Sequence, residues 1–276
     1  MLKLVAKEIS RNVFRKNFRV LYYHRVNDYD CPLSIKPNIF EEQIKYLKKE
    51  YRIISQSEYL KAFEGKTVPK NSVLITLDDG YKDNYTFAYP ILKRYSVSAT
   101  IFLTTDFIDN KMWLWQDMLR YILNVTPFKS KSIRLGKTEH ALSWKDQISL
   151  LNTRRTLYNY LKEFPINVRL EHIKSMARIL EVNLPQLPTK QFAPLSWKNI
   201  NEMKKNDIEF GAHTCTHEIL STLDKKNAYY EISQSKKRIE KKIDSEILTF
   251  AYPNGQARDM TEETKKILKN CKCLCI

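Results

Sequence analysis

Ser72-Val73-Leu74-Ile75-Thr76-Leu77-Asp78-Asp79-Gly80-Tyr81 is an apolar run that ends in two carboxylates and a glycine. A short apolar run closed by a turn signal predicts a strand. Gly80 lets the backbone turn sharply enough to place both carboxylates in a mouth at the strand's end. Paired carboxylates suit a division of labour in which one binds a cation and the other acts as a base. Read alone, the same residues also make an ordinary Asp-Asp-Gly turn between two elements.

Outward from this stretch, runs with strand character recur at Phe18 to Tyr23, Tyr51 to Ile54, Ser98 to Leu103, Ile208 to Ala212 and Ile247 to Ala251. Between them lie segments of helical period at Asn38 to Glu50, Ser57 to Phe63, Tyr85 to Tyr95, Ser196 to Lys205, Lys225 to Ile243 and Thr261 to Lys269. Strand, helix, strand in repeated order predicts an α/β fold with a parallel sheet, open or closed into a barrel. Several strands end in polar functional residues, the end where a (β/α) barrel keeps its active site. Residues 113–193 break the rhythm and read as a mostly helical insertion between two barrel strands. A barrel domain over 18–276 and a basic amphipathic segment over 1–17 complete the organisation.

The 276 residues carry 47 Lys and Arg against 31 Asp and Glu, a net charge of +16, with a hydrophobic fraction of 43%. That composition excludes a collagen, a disordered chain, a disulfide-stapled miniprotein and a polytopic membrane protein. The five cysteines are odd in number and unevenly spread, which fits a reducing compartment. Three of them form Cys271-x-Cys273-x-Cys275, a spacing open to a soft metal but lacking the paired halves of a structural zinc site. Neither a membrane span nor an apolar signal-peptide core is present in the sequence, so the expected location is cytoplasmic, extending to the inner face of the membrane. The segment 1–17 is open to two readings, an amphipathic helix lying on an anionic membrane surface or a helix covering a barrel end. No helix-turn-helix, zinc finger or aromatic RNA-binding pattern accompanies the charge, and no nucleic-acid partner is expected.

Glycine and histidine number five each, and three of either kind fall in four motifs, each at the end of a predicted strand. Phe210-Gly211-Ala212-His213-Thr214-Cys215-Thr216-His217 sets two histidines four apart after a strand. With an aspartate they compose a catalytic rather than a structural zinc set, because one coordination position stays open for water. Cys215 between them is either a further ligand or a packed thiol. Phe250-Ala251-Tyr252-Pro253-Asn254-Gly255 predicts a tight loop able to aim a backbone N–H at a substrate oxygen. Val20-Leu21-Tyr22-Tyr23-His24-Arg25-Val26 ends a fourth strand in His24. Trp113 and Trp115 at the start of the insertion are either sugar-stacking or core residues.

Together these motifs resemble the polysaccharide deacetylases, the NodB-like carbohydrate esterase family 4, and above all the subgroup acting on poly-N-acetylglucosamine. The resemblance rests on YYHRV at 22–26, LITLDDGYKDNY at 74–85, SATIFL at 98–103, FGAHTCTHEIL at 210–220 and FAYPNG at 250–255. It implies a distorted (β/α) barrel of the NodB type and a metal-dependent hydrolase removing N-acetyl groups from N-acetylhexosamine residues of a polysaccharide or lipid-linked glycan. It implies Asp79, His213 and His217 as ligands of a divalent metal, Zn²⁺ with Co²⁺ or Ni²⁺ as substitutes. It further implies Asp78 as general base and the Tyr252 N–H as oxyanion donor; Tyr252 and Pro253 are read as substrate contacts, with Trp113 added from its aromatic character. Most of the family draws its general acid from a histidine late in the chain. In the poly-N-acetylglucosamine subgroup an early histidine does this, and His24 matches it. The arginine-bearing motif of many relatives is replaced here by Ala251-Tyr252-Pro253, and Arg25 and Arg258 are either supports for the site or surface residues. A catalytically inactive glycan-binding relative of the same fold is the alternative reading.

Overall fold

The computed structural model describes residues 18–29, 33–64 and 69–276; the segment 1–17 and Cys31 lie outside them. In chain order the elements begin with β1 (Phe18–Tyr23), β2 (Arg25–Val26), β3 (Ser34–Ile35), α1 (Pro37–Glu50), β4 (Arg52–Ile53), α2 (Gln56–Glu64) and β5 (Ser72–Leu77). A π-helical turn at Asn84–Ala88 then runs into α3 (Tyr89–Arg94), followed by β6 (Ala99–Leu103) and the short α4 (Thr105–Ile108). The insertion holds α5 (Trp115–Val125), β7 (Ser130–Leu135), β8 (Thr138–Ser143), α6 (Gln147–Leu161) and α7 (Ile166–Ile179). The chain returns through α8 (Trp197–Lys204), β9 (Ile208–Ala212), α9 (Lys225–Ile243), β10 (Thr249–Phe250), α10 (Glu262–Asn270) and β11 (Leu274–Cys275).

Seven strands form one sheet in the order β1-β5-β6-β9-β10-β11, with β4 also on β5, and every pairing is parallel. The sheet curls into a half-barrel that stays open between β1 and β11. All six residues of β5 are buried, as a strand covered on both faces requires. Alternation divides the sheet cleanly. Val73, Ile75, Leu77, Ala99, Ile101, Leu103, Ile208 and Phe210 pack outward against the helices. Leu74, Thr76, Thr100, Phe102 and Gly211 face the interior, as period two demands. A Cβ on Gly211 would run into the Phe102 ring and come within 2.7 Å of Thr249 Oγ1, so only glycine fits there. At the N-terminal ends of the strands, α2 closes the interior: Gln56 Oε1 accepts from Thr249 Oγ1 at 2.5 Å, and Glu209 accepts the Gln56 N–H at 2.5 Å.

The helices start where side chains satisfy their first N–H groups. Asp146 and Ser196 form capping boxes on α6 and α8, and Asp224 accepts from Asn227 N at 2.8 Å on α9. Among the described residues no helix is long and apolar enough to cross a membrane.

The insertion builds a core of its own from Trp113, Trp115, Leu119, Ile122, Ile133, Leu157, Ile173, Met176 and Phe192 among others. It also contains an antiparallel hairpin, β7 with β8, joined through Gly136-Lys137, which the reading as a mostly helical insertion did not specify. Trp113 is corrected here as a substrate contact: it is 4% exposed and packs against Tyr121 and Phe192, so its ring offers no face to a sugar.

Candidate functional site

Register brings the four motifs to one mouth. Tyr22 pairs with Thr76 and Tyr23 with Leu77, and Asp78 N–H donates to Tyr23 O at 2.9 Å, so His24 and Asp78 leave their strands side by side. Both continue the interior-facing parity of Tyr22 and Thr76. The next strands follow suit: His213 N–H donates to Leu103 O at 3.0 Å, and Ala251 N–H to Ala212 O at 3.0 Å. The ends of β1, β5, β9 and β10 thereby converge.

Three side chains meet there. Ligating atoms of Asp79, His213 and His217 lie within 4.8 Å of one another. Asp79 Oδ1 is 3.1 Å from His217 Nε2 and 3.5 Å from His213 Nε2. Asp79 is fully buried, and apart from the two imidazoles neither of its carboxylate oxygens has a hydrogen-bond partner among the described residues. Among those residues no backbone or hydroxyl donor supplements the imidazoles at this carboxylate, and an oxygen with two imidazole nitrogens is a donor set suited to a divalent transition metal. His213 Nδ1 lies 2.8 Å from Ala251 O. A proton on Nδ1 makes that hydrogen bond and leaves the Nε2 lone pair directed at Asp79, the arrangement that orients metal-ligating histidines. The residues present therefore fit a metal ion.

The backbone around this cluster is unusual. Asp79, Thr214 and His217 have φ of 74°, 66° and 60°, a left-handed conformation that costs non-glycine residues free energy and clusters at functional sites. Gly80 follows at φ 85°, and a Cβ there would sit 2.7 Å from Ile108 Cδ1. The turn is held from the insertion's exit: Lys82 N–H donates to Ala193 O at 2.9 Å and Leu195 N–H to Gly80 O at 2.9 Å.

Electrostatics separate the two adjacent carboxyls. Burial, with the like charge of Asp79, pushes Asp78 up to about 6 against the pull of His24 and His217. Burial works to raise Asp79 as well, but His217, His24 and His213 together hold it well below the usual carboxylate range. Burial, with the neighbouring His217, pushes His213 down to about 3, keeping the imidazole neutral. Burial also acts to lower His217, and Asp79 overcomes it, leaving that group above its ordinary value.

Other expected residues sort themselves plainly. His24 is half-buried beside Asp78, and its carbonyl accepts Asn84 Nδ2 at 2.9 Å. The Tyr252 N–H makes none of the backbone hydrogen bonds described for its loop, while the Tyr252 side chain is buried, its hydroxyl 3.2 Å from Thr264 Oγ1. Pro253 is buried beside it. Cys215 is turned into the core with its thiol pushed up to about 11 by burial, and takes no part in the ligand cluster. Cys271, Cys273 and Cys275 are free thiols outside any ligand group found among the described residues. Arg258 is exposed, but Arg25 is 1% exposed. Its Nε pairs with Asp83 at 2.8 Å and its guanidinium lies 4.5 Å from the Tyr81 ring centroid. Tyr81 in turn donates to Asp117 of the insertion at 2.7 Å.

Two residues at the mouth went unnoticed in the sequence. Tyr22 is 71% exposed, on the interior side of β1, its ring centroid 6.0 Å from that of His24; its place two residues before His24 is the signal that marks it. Tyr158, from α6, stacks on Trp115 at 5.0 Å and reaches Asn254 Oδ1 at 3.4 Å. No local pattern announces that contact, because 96 residues separate the partners.

A family model described as polysaccharide deacetylase matches residues 65–273. A poly-β-1,6-N-acetyl-D-glucosamine N-deacetylase of Staphylococcus epidermidis is 28% identical over 238 residues, 76% of this chain and 77% of that protein. The protein of the same description from Staphylococcus aureus is 36% identical over 119 residues, 43% of this chain and 40% of that one. The Bacillus subtilis protein YxkH is 35% identical over 103 residues, 37% of either chain. The matched stretch thus spans less than half of the S. aureus and Bacillus proteins and most of the S. epidermidis one. Among solved structures, the Streptococcus pyogenes deacetylase PplD superposes with a TM-score of 0.59 at 20% identity, over 93% of this chain and 80% of that one. IcaB from Ammonifex degensii superposes with a TM-score of 0.57 at 18% identity, over 95% and 83%. At such identities these two likenesses speak for the fold, the curled parallel sheet with its helices.

Proposed function

Since the chain belongs to the polysaccharide deacetylase family, we propose that it is a metal-dependent de-N-acetylase that hydrolyses the acetamide of N-acetylhexosamine residues and releases acetate. The substrate class is a polymer of β-1,6-linked N-acetylglucosamine or its lipid-linked precursor, by analogy with the staphylococcal relatives. One observation carries the reading: the buried Asp79 carboxylate faces the Nε2 atoms of His213 and His217, all three ligating atoms lying within 4.8 Å of one another.

Asp79, His213 and His217 hold the cation, with Zn²⁺ favoured and Co²⁺ or Ni²⁺ compatible with the same donors. When bound, a divalent ion supplies Lewis-acid polarisation of the acetamide carbonyl and acidifies a water. The rest falls to the chain. Asp78, half-buried at the mouth, takes the proton as the water oxygen bonds to the carbonyl carbon. The Tyr252 N–H receives the oxygen on which negative charge develops. His24, on the strand beside Asp78, delivers a proton to the nitrogen as the C–N bond breaks, so that a neutral amine leaves. Tyr22 offers an exposed aromatic face to a pyranose next to His24. The +16 charge suits an anionic surface, including the membrane face at which a lipid-linked glycan is presented.

Acetate release from β-1,6-linked N-acetylglucosamine oligomers tests the reading. The metal-loaded protein should release acetate, and Asp78→Asn should lose at least about a hundredfold in kcat while still binding the cation. Full activity in Asp78→Asn would sink the mechanism. No acetate from the loaded wild type, across polymeric and lipid-linked acceptors, would sink the function.

A further inference from the structure

Behind the loop that carries His213 and His217 lies a carboxylate the chemistry above does not use. Glu231, in the second turn of α9, is 7% exposed. Its Oε2 accepts the backbone N–H groups of Cys215 at 2.7 Å and Thr216 at 3.0 Å, and its Oε1 accepts the Thr216 hydroxyl at 2.8 Å. All three donors belong to the residues between the two histidines.

The loop is gripped from the opposite side by its carbonyls. Thr214 O accepts Thr105 N–H at 3.2 Å, and Cys215 O accepts Asp106 N–H at 2.9 Å. Within the loop, Thr214 Oγ1 accepts the His217 N–H at 2.9 Å. This grip from both sides keeps Thr214 and His217 in their left-handed conformations, which neither residue adopts without support. A carboxylate suits the task because one group must accept from three donors, and bonds to a charged acceptor are stronger than those to a neutral one.

We propose that Glu231 is a positioning residue for the cation site: by binding Cys215 N, Thr216 N and Thr216 Oγ1 it fixes the loop so that His213 and His217 converge on Asp79. The inference rests on the reading of Asp79, His213 and His217 as that site. Neither histidine touches Glu231 in the hydrogen bonds of the structure, so its influence on the cation passes through backbone geometry. Orienting partners of this kind set metal affinity over a range of about 10- to 100-fold.

Co²⁺ titrated into the metal-free full-length protein tests it, read by visible d–d absorption and by competition with a chromogenic chelator. Glu231→Ala should weaken Co²⁺ binding about 10- to 100-fold and alter the spectrum. Glu231→Gln keeps one acceptor oxygen and loses the charge, and should weaken binding roughly three- to tenfold while retaining the fold. The glutamine variant is decisive, because removing three bonds at a buried point can unfold the alanine variant. A merely structural role would lower the melting temperature of the metal-free variants and leave affinity and spectrum of the folded molecules at wild-type values. Wild-type affinity and spectrum in Glu231→Gln therefore overturn the proposal. His213→Ala separates the premise from the inference. Unchanged Co²⁺ binding in that variant overturns the cation site itself, whereas binding lost there and untouched in Glu231→Gln overturns the role of Glu231 alone.

Discussion

Loading the Asp79, His213 and His217 site should raise the melting temperature by an amount that can be worked out. A ligand that binds only the folded state stabilises it by RT ln(1 + [L]/Kd), about 2.7 kcal/mol at one hundred times Kd. The unfolding entropy of the 276 residues, at about 2.1 cal/mol/K each, is roughly 0.6 kcal/mol/K, so the shift is about 5 °C. The sign follows from the structure. The three side chains meet only in the folded chain, so a cation they hold stabilises that state alone. Calorimetry of the chelator-treated protein against samples with rising free Co²⁺ measures the shift. It should grow with the logarithm of concentration once the site saturates, at about 1.4 kcal/mol per decade. His213→Ala with His217→Ala should abolish it, and Cys273→Ser should leave it unchanged. An equal shift in the double histidine variant would refute the assignment of the ligands, since the ion would then be stabilising the fold from elsewhere.

Three further outcomes are expected. His24→Ala should lower kcat on acetamide substrates by roughly 10²- to 10⁴-fold and spare an aryl acetate, whose phenolate leaves without a proton; equal losses on both substrates would remove His24 from the role of acid. Tyr22→Ala should raise KM for N-acetylglucosamine oligomers several-fold with kcat within about twofold, and Tyr22→Phe should restore it through the retained ring; an unchanged KM denies the stacking contact. Gly211→Ala forces a Cβ into the Phe102 ring and Thr249 Oγ1 and should cost about 1–3 kcal/mol, seen as a melting temperature lower by roughly 2–5 °C. Because β9 carries His213 two residues later, that variant should also bind Co²⁺ more weakly; a melting temperature equal to the wild type would contradict the packing.

The face that carries the candidate site was legible because its residues lie at or just beyond the ends of apolar runs, and a parallel strand buried on both faces writes its length into the sequence as an unbroken hydrophobic stretch. β5 and β9 have the bounds their residues predict. The β7–β8 hairpin was not legible. Only Ile133 and Leu135 in β7 and Leu142 in β8 are buried, the rest being Ala141 and polar residues that are exposed or half-buried, so the strand period barely shows. Arg25 was open between support and surface because the burial of an arginine depends on partners, and its carboxylate, Asp83, lies 58 residues away. Glu231 hid for a similar reason. It sits in a helix of seven lysines and arginines, where a glutamate reads as one more solvated charge. Trp113 had both a core and a stacking reading, and only the packing of the insertion decided between them.

The bonds from Ala193 and Leu195 to the turn after β5 bear on the order in which the protein is made. Asp78 and Asp79 leave the ribosome about 115 residues before Leu195, which at roughly 5–20 residues per second is a delay of about 6–23 s. The two histidines emerge later still. During that interval the turn lacks its two bonds from the insertion's exit, and the cluster of Asp79, His213 and His217 is incomplete. A cation held by all three residues can therefore be captured only after His217 has been made.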